Sequence, residues 1–291
     1  MKTTFKRPGL LLCLLWSAAT LCFTGCGNTG TAAPQGSSEA VSASLPASSD
    51  TPAAASETPS AGNSEAAAVS SGDPVATGSE DPGTAIGSPR LLYQGHASIR
   101  IITEDDKVIY IDPYTGDGYD RPADLILITH DHYDHTDLSK ITDRAEDCQI
   151  ITYKEAHPDG EYRSFDLDYV KVEAVEAGYN ANHDVRNCVG YLLTFRNGAC
   201  VYVSGDTSTT QQMAELSSRS IDYAFYCCDG IYNMGPEEAS SCADLVNAAH
   251  SIPYHMSAAD GSTGFDAAQA ERFTASGRMI LMPGEEIEIS H

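Results

Sequence analysis

A layered α/β domain, with stacked sheets and helices outside them, is the fold class predicted for residues 90–291 of this 291-residue chain. Short aliphatic runs fall into two groups, polar segments of helical character follow each group, and acid-rich or Asn-Gly turns join runs into hairpins. Elements of that kind bury their apolar faces by stacking sheets against each other and helices against sheets.

The elements follow in chain order. "SIRIIT" (98–103) and "KVIYID" (107–112) flank the acid-rich turn at Glu104–Lys107 and read as a hairpin. "DLILIT" (124–129) is continuously apolar, as expected of a strand covered on both faces. "DLSKITDRAE" (137–146) reads as helix, with Thr136 or Asp137 as its cap. "YLLTF" (191–195) and "ACVYVSG" (199–205) flank Asn197–Gly198, a strong hairpin turn signal. "TSTTQQMAELSS" (207–218) reads as helix and "IDYAFY" (221–226) as a buried strand. "GPEEASSCADLVNAAH" (235–250) is a helix with Pro236 at its first turn and Glu237 and Glu238 favouring its N-terminal dipole. It would run to His250, whose cation would suit the C-terminal end. "DAAQAERFTAS" (266–276) is the last helix. His157, in "KEAHPDG", reads as an exposed turn residue.

The N-terminal third reads differently. Lys2, Lys6 and Arg7 precede an uncharged apolar run, and Thr24 and Gly25 then precede Cys26. Residues 1–25 therefore read as an export signal whose apolar run is too short for a comfortable membrane span. The ending "FTGC" resembles a bacterial lipobox, which implies a lipidated Cys26 and a protein held on the outer side of the bacterial cell membrane. Residues 26–89, rich in Ser, Ala, Gly and Pro, read as a disordered tether. With 41 acidic against 17 basic side chains and a net charge of −24, the chain repels phosphate backbones, which argues against nucleic acid as its partner. Cys148, Cys188, Cys200, Cys227, Cys228 and Cys242 show no C-x-x-C spacing and read as buried free thiols.

Chemistry concentrates in "LITHDHYDHTD" (127–137), where His130, Asp131, His132, Asp134 and His135 follow the apolar strand. His130 and His132 are two residues apart, so on extended backbone they point the same way. Four crowded ligand-type side chains suit two ions better than one: His130 with His132 for the first, Asp134 with His135 for the second. Imidazole with carboxylate is a zinc-type donor set. His183, Asp206 and His255 lie at other element boundaries and could complete the sets, with Asp206 able to bridge.

"THDHYDH" (129–135) is similar to the H-x-H-x-D-H signature of the metallo-β-lactamase fold superfamily. "IYIDPY" with Asp112 and "SGDT" with Asp206 resemble its other aspartate motifs. Within the superfamily the chain looks like the UlaG-type and related lipid phosphodiesterase-like branch, through "YQGHASI", "AGYNANH", "NMGPEEA", "IPYH" and "PGEEIEI". The resemblance implies a four-layer αββα sandwich holding two divalent ions between its sheets, zinc first, with manganese or iron as alternatives. His130, His132 and His183 would hold one ion, and Asp134, His135 and His255 the other. Asp206 would bridge them and Asp112 would support the histidine loop. His96, Tyr133, Tyr179 and Asn180 are candidates for the substrate rim.

The expected activity is hydrolysis of a small-molecule or lipid-derived ester, lactone or phosphodiester by metal-activated hydroxide, with Asp134 orienting it or taking its proton. The competing classes are a non-catalytic metal-binding lipoprotein, a nuclease and a redox iron protein. Acidity weighs against the nuclease. His132, where diiron relatives carry glutamate, weighs against diiron chemistry.

Overall fold

The structure, a computed structural model, describes residues 87–256 and 264–291. The expected signal (1–25), Cys26 and all but the end of the expected tether lie outside the described residues.

Two six-stranded mixed sheets form the domain. The first holds β1 (Arg90–Gly95), β2 (Ser98–Ile102), β3 (Val108–Ile111), β4 (Ala123–Ile128) and β5 (Arg144–Thr152). The second holds β6 (Ser164–Leu167), β7 (Val170–Glu176), β8 (Val189–Phe195), β9 (Cys200–Val203), β10 (Tyr223–Cys227) and β11 (His250–Tyr254). β12 (Glu286–Glu288) returns to the first sheet and closes its edge against β1. The orders are β12-β1-β2-β3-β4-β5 and β11-β10-β9-β8-β7-β6. Each sheet is antiparallel on one side and parallel on the other, with β3-β4-β5 and β9-β10-β11 parallel.

Strand alternation explains the stacking. Ile99, Ile101, Ile109, Ile111, Leu125 and Leu127 join Val172, Tyr191, Leu193, Val201 and Val203 of the second sheet in one buried cluster. The side chains between them, Ile102, Val108, Tyr110, Ile126 and Ile128, pack on the opposite face with Ile141. Tyr191 of β8 also ties the layers together. Its buried hydroxyl donates to the carbonyls of Ile128 at 3.0 Å and Ile151 at 3.2 Å, in the first sheet.

Four helices occur among the described residues: α1 (Tyr153–Ala156), α2 (Met213–Leu216), α3 (Pro236–Val246) and α4 (Ala267–Arg272). The expected stacked-sheet α/β layering is present, and the two expected hairpins form, β2 with β3 and β8 with β9. The segment 137–146 departs from its helical reading. It makes one 3₁₀ turn at Leu138–Lys140, capped by Asp137, and its end enters β5 beside β4. A helix that short is marginal by itself; the Asp137 N–H instead meets the Pro113 carbonyl, Lys140 and Ile141 bond within the 3₁₀ turn, and only Arg144 of the segment pairs with β4, opposite Ala123. α3 is also shorter than expected. Asn247, in the left-handed conformation at φ 56°, ends it, and His250 begins β11 instead of closing the helix. His157 is buried, not exposed, its ring stacked on Tyr162 at 4.0 Å. All six domain cysteines are free, five of them buried and Cys148 half-buried.

The topology gathers loop residues at one end of the sandwich. Asp112 follows β3, residues 129–135 follow β4, and Asp206, Asp229 and His255 follow β9, β10 and β11. The carboxyl ends of parallel strands are where open α/β sheets place their sites.

Candidate metal centre

Asp206 is the hinge of the cluster. Its Oδ2 lies 3.3 Å from His183 Nε2 and 3.9 Å from His130 Nε2. Its Oδ1 lies 3.3 Å from His255 Nε2 and 3.5 Å from His135 Nε2. Within each set the imidazoles also converge: His183 Nε2 stands 3.2 Å from His132 Nδ1, and His135 Nε2 stands 3.2 Å from His255 Nε2. The structure thus brings together His130, His132 and His183 on one side of Asp206, and His135 and His255 on the other. Asp134 belongs to the second group by proximity, together with His96.

The donor spacing fits divalent ions. Zinc bound tetrahedrally at about 2.0–2.1 Å from N or O donors places neighbouring donors roughly 3.3–3.4 Å apart. The separations of 3.2–3.5 Å above bracket that value, and only His130 stands further off. His130 Nε2 and Asp206 Oδ1 are buried without a hydrogen-bond partner, a costly state unless a cation takes their lone pairs.

The surrounding residues orient these rings. Asp112 Oδ2 accepts from His135 Nδ1 at 2.9 Å and from Thr129 Oγ1 at 2.7 Å, while its Oδ1 accepts from Thr129 N at 2.8 Å. Thr129 Oγ1 also lies 3.0 Å from His130 Nδ1. Asn180 Oδ1 accepts from His183 N and meets His183 Nδ1, both at 3.0 Å. Asp229 Oδ2 lies 3.4 Å from His255 Nδ1. Asn233 Nδ2 donates to Asp206 and to Asp229, each at 2.7 Å. Such partners set the tautomer and aim of a ligand ring.

Backbone geometry serves the same end. Asp112 and His255 sit at φ 46° and 48°, a strained region for residues with a side chain. Gly178, at φ 95°, lets the His183 loop close in, since a Cβ there would stand 2.9 Å from the His183 carbonyl.

Charge is distributed unevenly across the cluster. Burial alone would lower the His135 pKa, but Asp206 and Asp112 outweigh it and hold the ring well above its usual value. Burial opposes ionisation of Asp206, yet the His255 and His135 charges hold its carboxyl well below the ordinary range. His130, without a carboxylate hydrogen bond, is pushed well below by burial.

Above the cluster opens a cleft of about 410 Å³, lined by His132, Asp134 and His183 with Tyr133, Asn182 and Tyr232. Residues 90–255 match the Beta-lactamase superfamily domain. The chain belongs to that family. A relative in Geobacillus sp. (strain WCH70), a UPF0173 metal-dependent hydrolase, is 29% identical over 232 residues, covering 69% of this chain and 100% of its own. The UPF0173 metal-dependent hydrolase of Pyrococcus furiosus is 29% identical over 232 residues, covering 69% of this chain and 99% of its own. Among solved structures, a Parabacteroides distasonis protein described as a metal-dependent hydrolase superposes with a TM-score of 0.53 at 28% identity, over 66% of this chain and 91% of its own. Igni18, a metallo hydrolase from Ignicoccus hospitalis, shares the fold with a TM-score of 0.54 at 18% identity, over 69% of this chain and 97% of its own.

Of the four rim candidates in this superfamily member, only Tyr133 lines the cleft. Tyr179 is exposed away from the lining, Asn180 holds His183 as described, and His96 is buried beneath the second ligand group. Asp229, Asn233 and Thr129 were not legible as site residues. For Thr129 and Asp229 the signal was position alone, just beyond a strand end, where a histidine ligand can find a carboxylate or hydroxyl for its other nitrogen; Asn233, in the loop between β10 and α3, carried none.

Proposed function

We propose that this protein is a dinuclear hydrolase of a small-molecule or lipid-derived ester, lactone or phosphodiester. Its wider class is that of the metal-dependent hydrolases, and the finer reading rests on Asp206, whose two oxygens face two separate imidazole sets at ligand-to-ligand spacing. Bound divalent ions would acidify water and polarise a carbonyl or phosphoryl oxygen. His130, His132 and His183 would hold one ion, Asp134, His135 and His255 the other, and Asp206 both; zinc suits these donors best. Asp134 lines the cleft and is held ionised despite its burial, chiefly by the His96 hydrogen bond and the His135 charge. It is placed to take a proton from a water there.

The cleft ranks the substrates. Its volume suits a small ligand, and Tyr133 and Tyr232 offer aromatic faces at its mouth, 73% and 58% exposed. Among the described residues no Lys or Arg lines it, and a chain of net charge −24 slows the approach of anions. An uncharged ester or lactone therefore ranks ahead of a phosphodiester. An open cleft also favours catalysis over sequestration, because purely structural metal sites are closed. We further place the chain in the UlaG-type branch, on the motifs around His96 and His183, and on the membrane through a lipidated Cys26.

The test is hydrolysis by purified, zinc-loaded protein of an aryl ester, a γ-lactone and a bis-aryl phosphodiester. Metal-dependent turnover, faster on the ester or lactone, is expected. Two tightly held ions with none of the three reporters cleaved would favour sequestration instead.

A further inference from the structure

His96 occupies the turn between β1 and β2 and offers a donor within reach of Asp134, His135 and His255, the second ligand group. Its side chain is 2% exposed, and its Nε2 donates to Asp134 Oδ2 at 3.0 Å. Its ring lies over His255, centroid to centroid 3.8 Å. Its backbone is pinned too: the carbonyl accepts from His255 N at 2.9 Å and from the Tyr93 hydroxyl at 3.1 Å. The residue pays for this place with a left-handed conformation, φ 49°, which surrounding contacts must over-determine to persist. One residue of the first sheet thus grips two members of the second ligand group, one by its donor and the other by ring and carbonyl.

We propose that His96 is a positioning residue that holds Asp134 and His255 in register with His135, and so decides whether the second cation is retained. The inference rests on the dinuclear reading above. His96 touches none of His130, His132 and His183 by hydrogen bond or ring contact, so its effect is confined to one ion. Donor and ring make separable contributions. His96→Phe keeps a ring against His255 and removes the donor, whereas His96→Gln keeps an amide donor for Asp134 and removes the ring.

Zinc titration of the metal-free full chain, followed by elemental analysis, tests the assignment. Wild type should take up two equivalents. H96F should keep one at unchanged affinity and bind the second about 10–100-fold more weakly, the range seen when an orienting partner of a ligand is lost. H96Q should recover most of that loss, and substituted cobalt should show an altered absorption band for the second site alone. Equal affinities for both ions in wild type and H96F would overturn the proposal while leaving the dinuclear reading standing. Uptake of fewer than two ions by wild type would overturn both. If H96F does not fold, H96Q against His96→Ala gives the same donor comparison, and equal second-ion affinity in that pair overturns the donor role.

Discussion

Asp112 shows how much of this site is decided one contact at a time. It is fully buried, sits at φ 46°, and spends both oxygens on Thr129 and His135. An amide in its place cannot accept at both positions and also present an N–H there without facing another donor. Asp112→Asn is therefore expected to weaken binding of the ion held by His135 by about 10–100-fold, read by competition with a chromogenic chelator. Affinity equal to wild type would show that His135 is aimed by something else. The same logic applies to Asp229, which gathers the amides of Ile231, Tyr232 and Asn233 on Oδ1 while its Oδ2 faces His255. It therefore fixes the loop that carries Tyr232 to the cleft mouth and a ligand ring at once.

Among elements, the two sheets are held by apolar stacking and by a few polar ties, of which Tyr191 is the clearest. Its hydroxyl reaches from β8 to the ends of β4 and β5, next to the turn that carries His130. Tyr191→Phe removes the one hydroxyl proton that the two carbonyls share, a loss of about 1–2 kcal/mol. Urea unfolding should show that loss as a lower midpoint at unchanged slope, with zinc stoichiometry intact. The element reading also explains where helix signals failed. The 137–146 segment had a cap for a helix, but its ends are held from outside, Asp137 N–H by the Pro113 carbonyl and Asp143 and Arg144 by Ala123 of β4, which leaves room for one 3₁₀ turn only. β1, β6, β7, β11 and β12 carry no clear strand signal of their own, being short or holding polar or alternating charged residues, as in "VKVEAVE". Their strand character depends on neighbours far away in sequence.

The molecule as a whole is a strongly acidic domain built around a site that needs cations. Metal that binds only the folded state stabilises it by mass action, about 2.7 kcal/mol at a concentration 100 times Kd. Zinc should therefore raise the melting temperature at pH 7.5 in a concentration-dependent way, and a chelator should reverse the rise. The gain should shrink as pH falls, because protonated imidazoles cannot ligate and His135 and His255, both buried yet held above their usual value by Asp206, keep their protons to higher pH than a free imidazole. An equal gain at pH 5 and pH 7.5 would argue that zinc acts elsewhere, on surface carboxylates. The proposed lipid attachment at Cys26 makes a separate prediction. Cys26→Ala should move the protein from the membrane fraction to the soluble exported fraction and abolish labelling by a fatty-acid analogue; unchanged fractionation would leave an uncleaved anchor or a plain secretory signal.

The sequence by itself determined the chemistry: a run of histidines and aspartates after an apolar strand, matched by aspartate and histidine at later strand ends, specifies donors whatever the path between them. It also determined the hairpins, because Asn-Gly and acid-rich turns act locally. Only the tertiary structure decided which groups aim those donors. Thr129, Asn180, Asp229, Asn233 and His96 meet their partners across loops and between two sheets, and side chains of such ordinary type carry no local mark of that role. Distance along the chain hides them; proximity at the open end of the sandwich gives them their work.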